Sequence, residues 1–338
     1  MKSYNWFMGI DVSKAKLDIT VLQGNESVVY EVIENSAKGL IELAKKLRKL
    51  PGFKWEQCLV CAEHTGIYNA HLLAVSQKYK WDLCLESAVQ IKQSGGLQRG
   101  KNDAIDSYRI ALYARKNAGF IKLWQAPRKV IIELQKLSAL RSRLIGIRNQ
   151  LNHVLKEDKG FTDKSILGSI STCSKHTLAG VEKDLKAVVA RIDTIIEEDP
   201  ELKRLFAITE SVTGVGRVMA LQMVVTSNEF KNIKDPRKYA CYSGVAPFEH
   251  TSGSSIRGRT RTSKKANQQV KTLLHMCSMV AIQYSPEMTA YFERKVAEGK
   301  NKMAVLNGVK NKLIHRVFAC VNRNEHYKKE YKNNLALS

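Results

Sequence analysis

The chain has 338 residues, 44% apolar and 26% charged, with seven cysteines and a formal net charge of +23. That length suits two domains, and no run of 18 uncharged apolar residues occurs, which excludes a membrane-spanning helix. The opening MKSYNWFMGIDVSK carries charges where a secretory leader needs an apolar core, and an odd set of scattered cysteines offers no disulfide framework, so a reducing cytoplasm is expected. The charge rises along the chain, from +6 over residues 1–124 and +3 over 125–200 to +14 over 201–338. A basic excess of this size reads as polyphosphate binding through counterion release. No basic amphipathic helix stands out to suggest an anionic membrane instead.

In chain order, residues 4–22 read as two strands joined by the turn Ser13–Lys16, the second alternating Leu17, Ile19 and Val21. Residues 28–33 suit a third strand, and 37–50 an amphipathic helix stopped by Pro51-Gly52. QCLVCAEHTG (57–66) reads as a buried strand ending at Glu63, followed by a helical segment at 67–79, a short strand at 82–86 and a further helix. The pattern predicts an α/β domain with a mixed sheet over residues 1–124.

Residues 128–155 predict a long helix in which Leu137, Leu140, Leu144, Ile147, Leu151 and Val154 form a heptad seam. After a polar stretch at 156–176, Leu178, Val181, Leu185, Val188, Ile192 and Ile195 repeat that spacing in a second helix ending before Pro200. The pair suggests an antiparallel coiled-coil arm over 125–200; packing of both helices onto a globular core is the alternative. From 201 to 322 the chain reads as mostly helical, with a Gly/Ser-rich basic interruption at 251–263. Ser285 and Pro286 are a good N-cap and N1 pair for a helix ending at Gly299, and residues 323–338 read as a frayed polar tail.

Four carboxylates stand out. Asp11 ends the first strand, Glu63 ends the fourth, and Asp103 and Asp106 share one face of the helix in KNDAIDSYRIALYA. Together they would offer hard oxygen ligands suited to Mg²⁺, and two such ions about 3.5–4 Å apart serve phosphoryl transfer. Each acid alone also fits a structural role as a turn residue, a cap or a first-turn partner of the helix dipole. Asp11 in GIDVSK, Glu63 in CAEHTGIY and Asp103/Asp106 in RGKNDAIDSYRIA resemble the DEDD set of RuvC-like transposases, the bridge-RNA-guided recombinases of insertion-sequence family one-ten. That resemblance implies a ribonuclease-H-like fold for residues 1–124, Mg²⁺ at the four acids and a coiled-coil insertion.

Further on, SVTGVGRVMALQMVV (211–225) has a Gly214-Val-Gly216 turn opening a helix at Arg217, a form that can present backbone N–H groups to phosphate or be a plain loop-to-helix turn. Arg257, Arg259, Arg261, Lys264 and Lys265 fall within nine residues without an acid. Ser252 precedes Gly253 in the same segment, and from the residues alone it is indistinguishable from Ser254 or Ser255 as a nucleophile. GVGRVMALQM, YSGVAPFEHTSGSSIRGR and the SKKAN helix start are similar to the C-terminal transposase domain of the same family, which maps the nucleophile onto Ser252. Thr251 stands where some relatives have an acid.

Cys58 and Cys61 have zinc spacing but sit in an apolar strand with no second pair, which reads as structural. His64, Tyr68, Trp81 and Trp124 read as surface, core or edge residues. The expected function is an RNA-guided DNA recombinase with Mg²⁺ at Asp11, Glu63, Asp103 and Asp106, and Ser252 attacking the phosphodiester. The resemblance further implies a structured bridge RNA, donor and target double-stranded DNA, and a dimer pairing to a tetramer, in the bacterial cytoplasm and on the nucleoid when acting. A nuclease using metal-activated water, or a non-enzymatic nucleic-acid scaffold, are the rival readings.

Overall fold

The computed structural model describes residues 2–94, 102–157, 160–252, 256–262 and 266–328, and the chain forms two compact units, Met1–Ala126 and Pro127–Ser338. In the first unit, strands β1 (Trp6–Val12), β2 (Lys16–Gln23), β3 (Glu26–Glu34), β4 (Cys58–Glu63) and β5 (Asp82–Glu86) form one sheet in the order β3-β2-β1-β4-β5. β1 pairs antiparallel with β2 and parallel with β4, so the sheet is mixed, as the sequence predicts. Helices α1 (Ala37–Leu47), α2 (Ala70–Tyr79), α3 (Ala88–Ser94) and α4 (Asp103–Asn117) cover it.

Period-2 alternation divides the sheet's side chains between two cores. Trp6, Met8, Ile10 and Val12 of β1, Leu17, Ile19 and Val21 of β2, and Cys58, Val60 and Ala62 of β4 pack with Leu40, Leu43 and Leu47 of α1 and Leu72 and Val75 of α2. Phe7, Leu22, Leu59, Cys61 and Cys84 face the other way, onto Ile110, Ala111, Tyr113 and Ala114 of α4. Cys58 and Cys61 therefore lie in opposite cores and cannot share a metal ion.

Gly9 sets how closely α4 approaches. A Cβ there would lie 2.2 Å from both the Ala111 amide nitrogen and the Ser107 carbonyl oxygen, which are backbone atoms that no rotamer change can move aside. Beside it, the buried Thr20 and Ser107 hydroxyls are hydrogen-bonded at 2.7 Å.

The second unit is a helical assembly of α5 (Lys129–Glu157), α6 (Lys164–Glu198), α7 (Pro200–Glu210), α8 (Arg217–Ser227), α9 (Pro236–Tyr242), α10 (Gln268–Tyr284), α11 (Pro286–Ala297) and α12 (Lys302–Arg323), with a hairpin of β6 (Pro247–Ser252) and β7 (Ile256–Thr262). Ion pairs Glu133–Arg191 and Arg148–Glu182 show that α5 and α6 run antiparallel. Val181, Leu185, Val188, Ile192 and Ile195 of α6 are buried as expected. The α5 seam is different. Leu140 and Ile147 are 41% and 43% exposed, while Ile131, Leu134, Ser138 and Leu144 are buried. Both helices share one continuous core with α7–α12, so that core, rather than a two-helix seam, selects the buried stripe of α5.

Two further expectations change. The stretch 156–176 becomes largely helical, because α6 starts at Lys164 behind the N-cap Asp163, and the Ser169, Thr172 and Ser174 hydroxyls bond carbonyls four residues back. The basic interruption is a two-stranded ribbon rather than a loop. As expected, Ser285 precedes a helix that starts at Pro286, and Gly299, just beyond its end, has φ +81°.

All four tryptophans, at positions 6, 55, 81 and 124, belong to the first unit, so tryptophan fluorescence reports on that unit alone. Gly9→Ala should lower its urea midpoint by about 1–3 kcal/mol or more of stability, as overpacking a tight contact does. An unchanged fluorescence midpoint would mean that α4 shifts freely on the sheet.

Candidate active site

The pleat that makes the two cores also gathers the acids. Asp11 lies on the α4 side of β1, and Glu63, two residues beyond Cys61, on the same side of β4. Register pairs Asp11 directly with Asp18 of β2, a fifth carboxylate. Directly opposed like charges destabilise a sheet, yet Asp18 is 2% exposed. It accepts hydrogen bonds from the Tyr30 hydroxyl at 2.9 Å and ion-pairs with Lys16 at 3.2 Å. Asn102 caps α4 by accepting from the Ala104 amide, which places Asp103 and Asp106 in the helix's first turn, where the dipole favours anions.

Electrostatics show that these groups sense each other. Burial first, then the charges of Asp106, Asp103, Glu63 and Asp18, push the Asp11 carboxyl up to about 6. Burial and Asp106 likewise raise Glu63. Internal cations hold the α4 acids: Lys16 reaches Asp103 at 2.7 Å, and Arg109 reaches Asp106 at 2.9 Å. Among the described residues, no three His, Cys, Asp or Glu side chains converge to hold a metal ion as they stand. The donor set is nevertheless all hard oxygen around an acid that resists ionising alone, which fits a divalent cation such as Mg²⁺ held by Asp11, Glu63, Asp103 and Asp106.

The end of β4 is fixed by Asn69, buried to 1%. Its amide donates to the Glu63 carbonyl, and its oxygen accepts from the Thr65 amide and hydroxyl. His64 is exposed and donates its amide to Glu86 O. Tyr68 is 39% exposed, while Trp81 stacks on Trp55 at 4.3 Å and Trp124 packs against the α1-side core. Asp18, Lys16, Tyr30 and Asn69 are the site residues that the sequence reading missed. Asp18 had a signal, being the polar member of an alternating strand opposite Asp11.

In the second unit, Gly214 has φ +95° and a Cβ there would meet the Cys277 carbonyl of α10 at 2.7 Å, so this glycine serves close packing. Gly216 caps α8 with open space around it. Arg217 stacks over Phe206 and pairs with Asp193 and Glu210. Ser252 ends β6 opposite Ile256, and Arg257, Arg259 and Arg261 occupy alternate positions of β7, with Thr251 opposite Arg257. The side chains of Ser252 and these arginines, and the residues Ser254, Ser255, Lys264 and Lys265, lie outside the described residues.

A carboxyl raised above its usual range makes its own ionisation unfavourable to the fold. The Asp11 contribution is therefore intact below about pH 4 and is lost as pH rises toward 6. Asp11→Asn should stabilise the metal-free first unit at pH 7.5 by on the order of 1 kcal/mol, allowing for residual solvent contact. The gap from wild type should close near pH 4 when both are followed by tryptophan fluorescence in chelator.

Comparison with known proteins agrees with this two-part layout. A DEDD transposase family model of IS110 type matches residues 8–157, and a model described as Transposase IS116/IS110/IS902 family matches 207–293. The chain is similar to the pilin gene-inverting proteins of Moraxella lacunata (22% identical) and Moraxella bovis (21%), each over 96% of this chain and 98% of the relative. It is 25% identical to an uncharacterized 43.6 kDa protein of insertion element IS110 from Streptomyces coelicolor, over 66% of this chain and 54% of that one. With a five-stranded mixed sheet in the segment the DEDD model matches and a largely helical second unit, the chain is a DNA transposase/recombinase of the IS110/IS116 family.

Proposed function

We propose that this transposase is an RNA-guided serine recombinase in which Ser252 attacks the DNA phosphodiester. The observation that supports the reading is the placement of Asp11 and Glu63 on one face of β1 and β4, the face that α4 covers with Asp103 and Asp106 in its first turn, a hard-oxygen set that suits a divalent cation. When bound there, Mg²⁺ supplies positive charge that polarises the phosphodiester and stabilises the oxygens gaining charge. The chain's own residues do the rest.

The Ser252 Oγ forms a bond to phosphorus while the bond to the 3′-oxygen breaks, and the serine's proton passes to the departing 3′-hydroxyl. The phosphoserine keeps the bond energy, so a 3′-hydroxyl from another strand can reverse the step and reseal DNA. Arg257, Arg259, Arg261, Lys264 and Lys265 provide the guanidinium and ammonium charge that a phosphoryl transition state needs. Of the Gly214–Arg217 turn, Gly216 is the part free to approach the DNA backbone, since Gly214 packs on α10 and Arg217 is paired with Asp193 and Glu210. Sequence choice rests with a structured bridge RNA that pairs with donor and target DNA, and the protein reads backbone and shape. A composite site, with acids from one protomer and serine from another, would require an even-numbered assembly, which dimers that pair as a tetramer supply, in the bacterial cytoplasm and on the nucleoid when acting.

The relatives that span the whole chain carry a name for inverting a pilin gene. Inversion and element movement are the same strand exchange with differently placed sites, so the serine chemistry accommodates both.

The test uses full-length protein with its co-purifying RNA, labelled donor and target DNA and Mg²⁺. After denaturation, a covalent protein–DNA adduct should form with wild type, disappear in Ser252→Ala, and weaken in Asp11→Ala or with chelator. Cut ends without adduct, still made by Ser252→Ala, would overturn the serine mechanism in favour of metal-activated water. Replacing Arg257 or Arg261 by Ala should flatten the logarithmic salt dependence of DNA binding by about one slope unit per lost phosphate contact.

A further inference from the structure

Strand β3 is the edge of the sheet and pairs only with β2 among the described residues. Its alternation is unusual. Val29 and Ile33 pack toward the α1 side, but Tyr30 and Val32 on the opposite face are apolar too, and are 49% and 47% exposed. Register puts both on the acid face: Val32 is opposite Asp18, which is opposite Asp11, and Tyr30 is opposite Thr20, which is opposite Gly9. Helix α4 packs over β1, β2 and β4 on that face and leaves this part of β3 open.

We propose that Tyr30 and Val32 form a platform on which a nucleobase of the processed strand stacks, beside the phosphate held at the acids. The proposal rests on the acids being a phosphodiester site. Three observations favour a nucleobase over other occupants.

The first is continuity. Two strand spacings separate Val32 from Asp11, about 10 Å, which is about three nucleotide rises of a DNA strand. The second is the anchoring of the ring. The Tyr30 hydroxyl donates to Asp18, itself the cross-strand neighbour of Asp11, so the ring's polar end is tied to the acid cluster while half the residue remains open. The third is local charge. Glu34 continues this face beyond Val32, opposite Lys16, and Lys16 is already held by Asp18 and Asp103. This part of the face therefore suits the flat, uncharged side of a base better than a phosphate. Aromatic stacking tolerates any base, as required of a protein whose sequence choice is made elsewhere.

The experiment uses full-length protein and single-stranded DNA oligonucleotides carrying 2-aminopurine at successive positions, in Mg²⁺. Wild type should quench the fluorophore strongly at one or a few adjacent positions. Tyr30→Phe keeps the ring and should retain that quenching. Tyr30→Ala should abolish it and weaken binding of the oligonucleotide about 5- to 100-fold, the range for loss of one stacked base. Val32→Thr should give a smaller loss in the same direction. Both Tyr30 variants lose the hydroxyl's bond to buried Asp18 and should fall alike in tryptophan-monitored stability, so the contrast in quenching between Tyr30→Phe and Tyr30→Ala separates the lost ring from that shared cost.

Quenching unchanged in Tyr30→Ala would overturn the platform. So would a Tyr30→Ala variant that quenches normally but sediments as a smaller assembly, which would assign the face to a second copy of the chain. Tyr30-dependent quenching in a protein that shows no Asp11-dependent chemistry would leave the platform standing and remove the catalytic reading of the acids.

Discussion

The closeness of α4 to β1 at Gly9 is the constraint on which the rest of the first unit depends. A helix packed on a sheet normally stands off by the thickness of two side chains. Here the position under Ser107 and Ala111 carries none, and their backbone atoms occupy the space a Cβ would need. The helix's first turn is thereby lowered toward the end of β1, where Asp11 sits two residues after Gly9. The Thr20–Ser107 hydrogen bond secures the neighbouring strand to the same turn of helix. One missing methyl group thus brings acids from residues 11 and 103–106 into a common field.

That field is costly to the fold and useful to the chemistry. Five carboxylates share a region in which Lys16 and Arg109 supply nearby positive charge through ion pairs with Asp18, Asp103 and Asp106. Asp11 bears the largest penalty, being partly buried and surrounded by like charge. Selection for stability alone would remove such an arrangement, since neutral or apolar residues at these positions would relieve the repulsion. Its presence in a segment matched by a DEDD transposase family model is what a position kept for function rather than for stability would show.

Much of this was legible in the amino-acid order, and for identifiable reasons. Strand β2 announces itself by period-2 alternation and β1 and β4 by apolar runs, and Asp11 and Glu63 are the acids at the ends of those two runs. Asp18 was not read because alternation in β2 marks its odd positions as buried, so residue 18 looked solvent-facing until α4 covered it. Lys16 and Tyr30 gain meaning only from cross-strand register, which spacing along one strand does not contain. The α5 seam failed for a related reason. Its leucines fit a heptad, but the stripe that is buried depends on which neighbours arrive, and α7–α12 supply the core. The same core holds Asn228, Glu229 and Phe230 in three successive left-handed conformations, with Arg128 bonded to Glu229 at 3.0 and 3.1 Å and to Asp199 at 3.2 Å; no local residue pattern foretells that.

The hairpin of β6 and β7, whose first strand ends in Ser252, leaves and rejoins the helices of the second unit at fixed points. Its root is tied firmly. The Asn267 amide, just past the hairpin, donates to the Tyr242 carbonyl at 2.9 Å, and its side chain donates to the Tyr242 hydroxyl at 2.8 Å. From α12, Asn307 donates to the carbonyl of the fully buried Val245 at 2.6 Å. Ser252 is the last of the six residues of β6, five positions from its start. At about 3.3 Å per residue, that sets it roughly 17 Å along the strand. The fixed root holds the start of the ribbon in place, and the pairing of β6 with β7 resists bending along its length. The acids are placed differently, at the ends of two strands and in the first turn of a helix whose approach Gly9 sets, with Asp11 and Glu63 partly buried and Asp103 exposed.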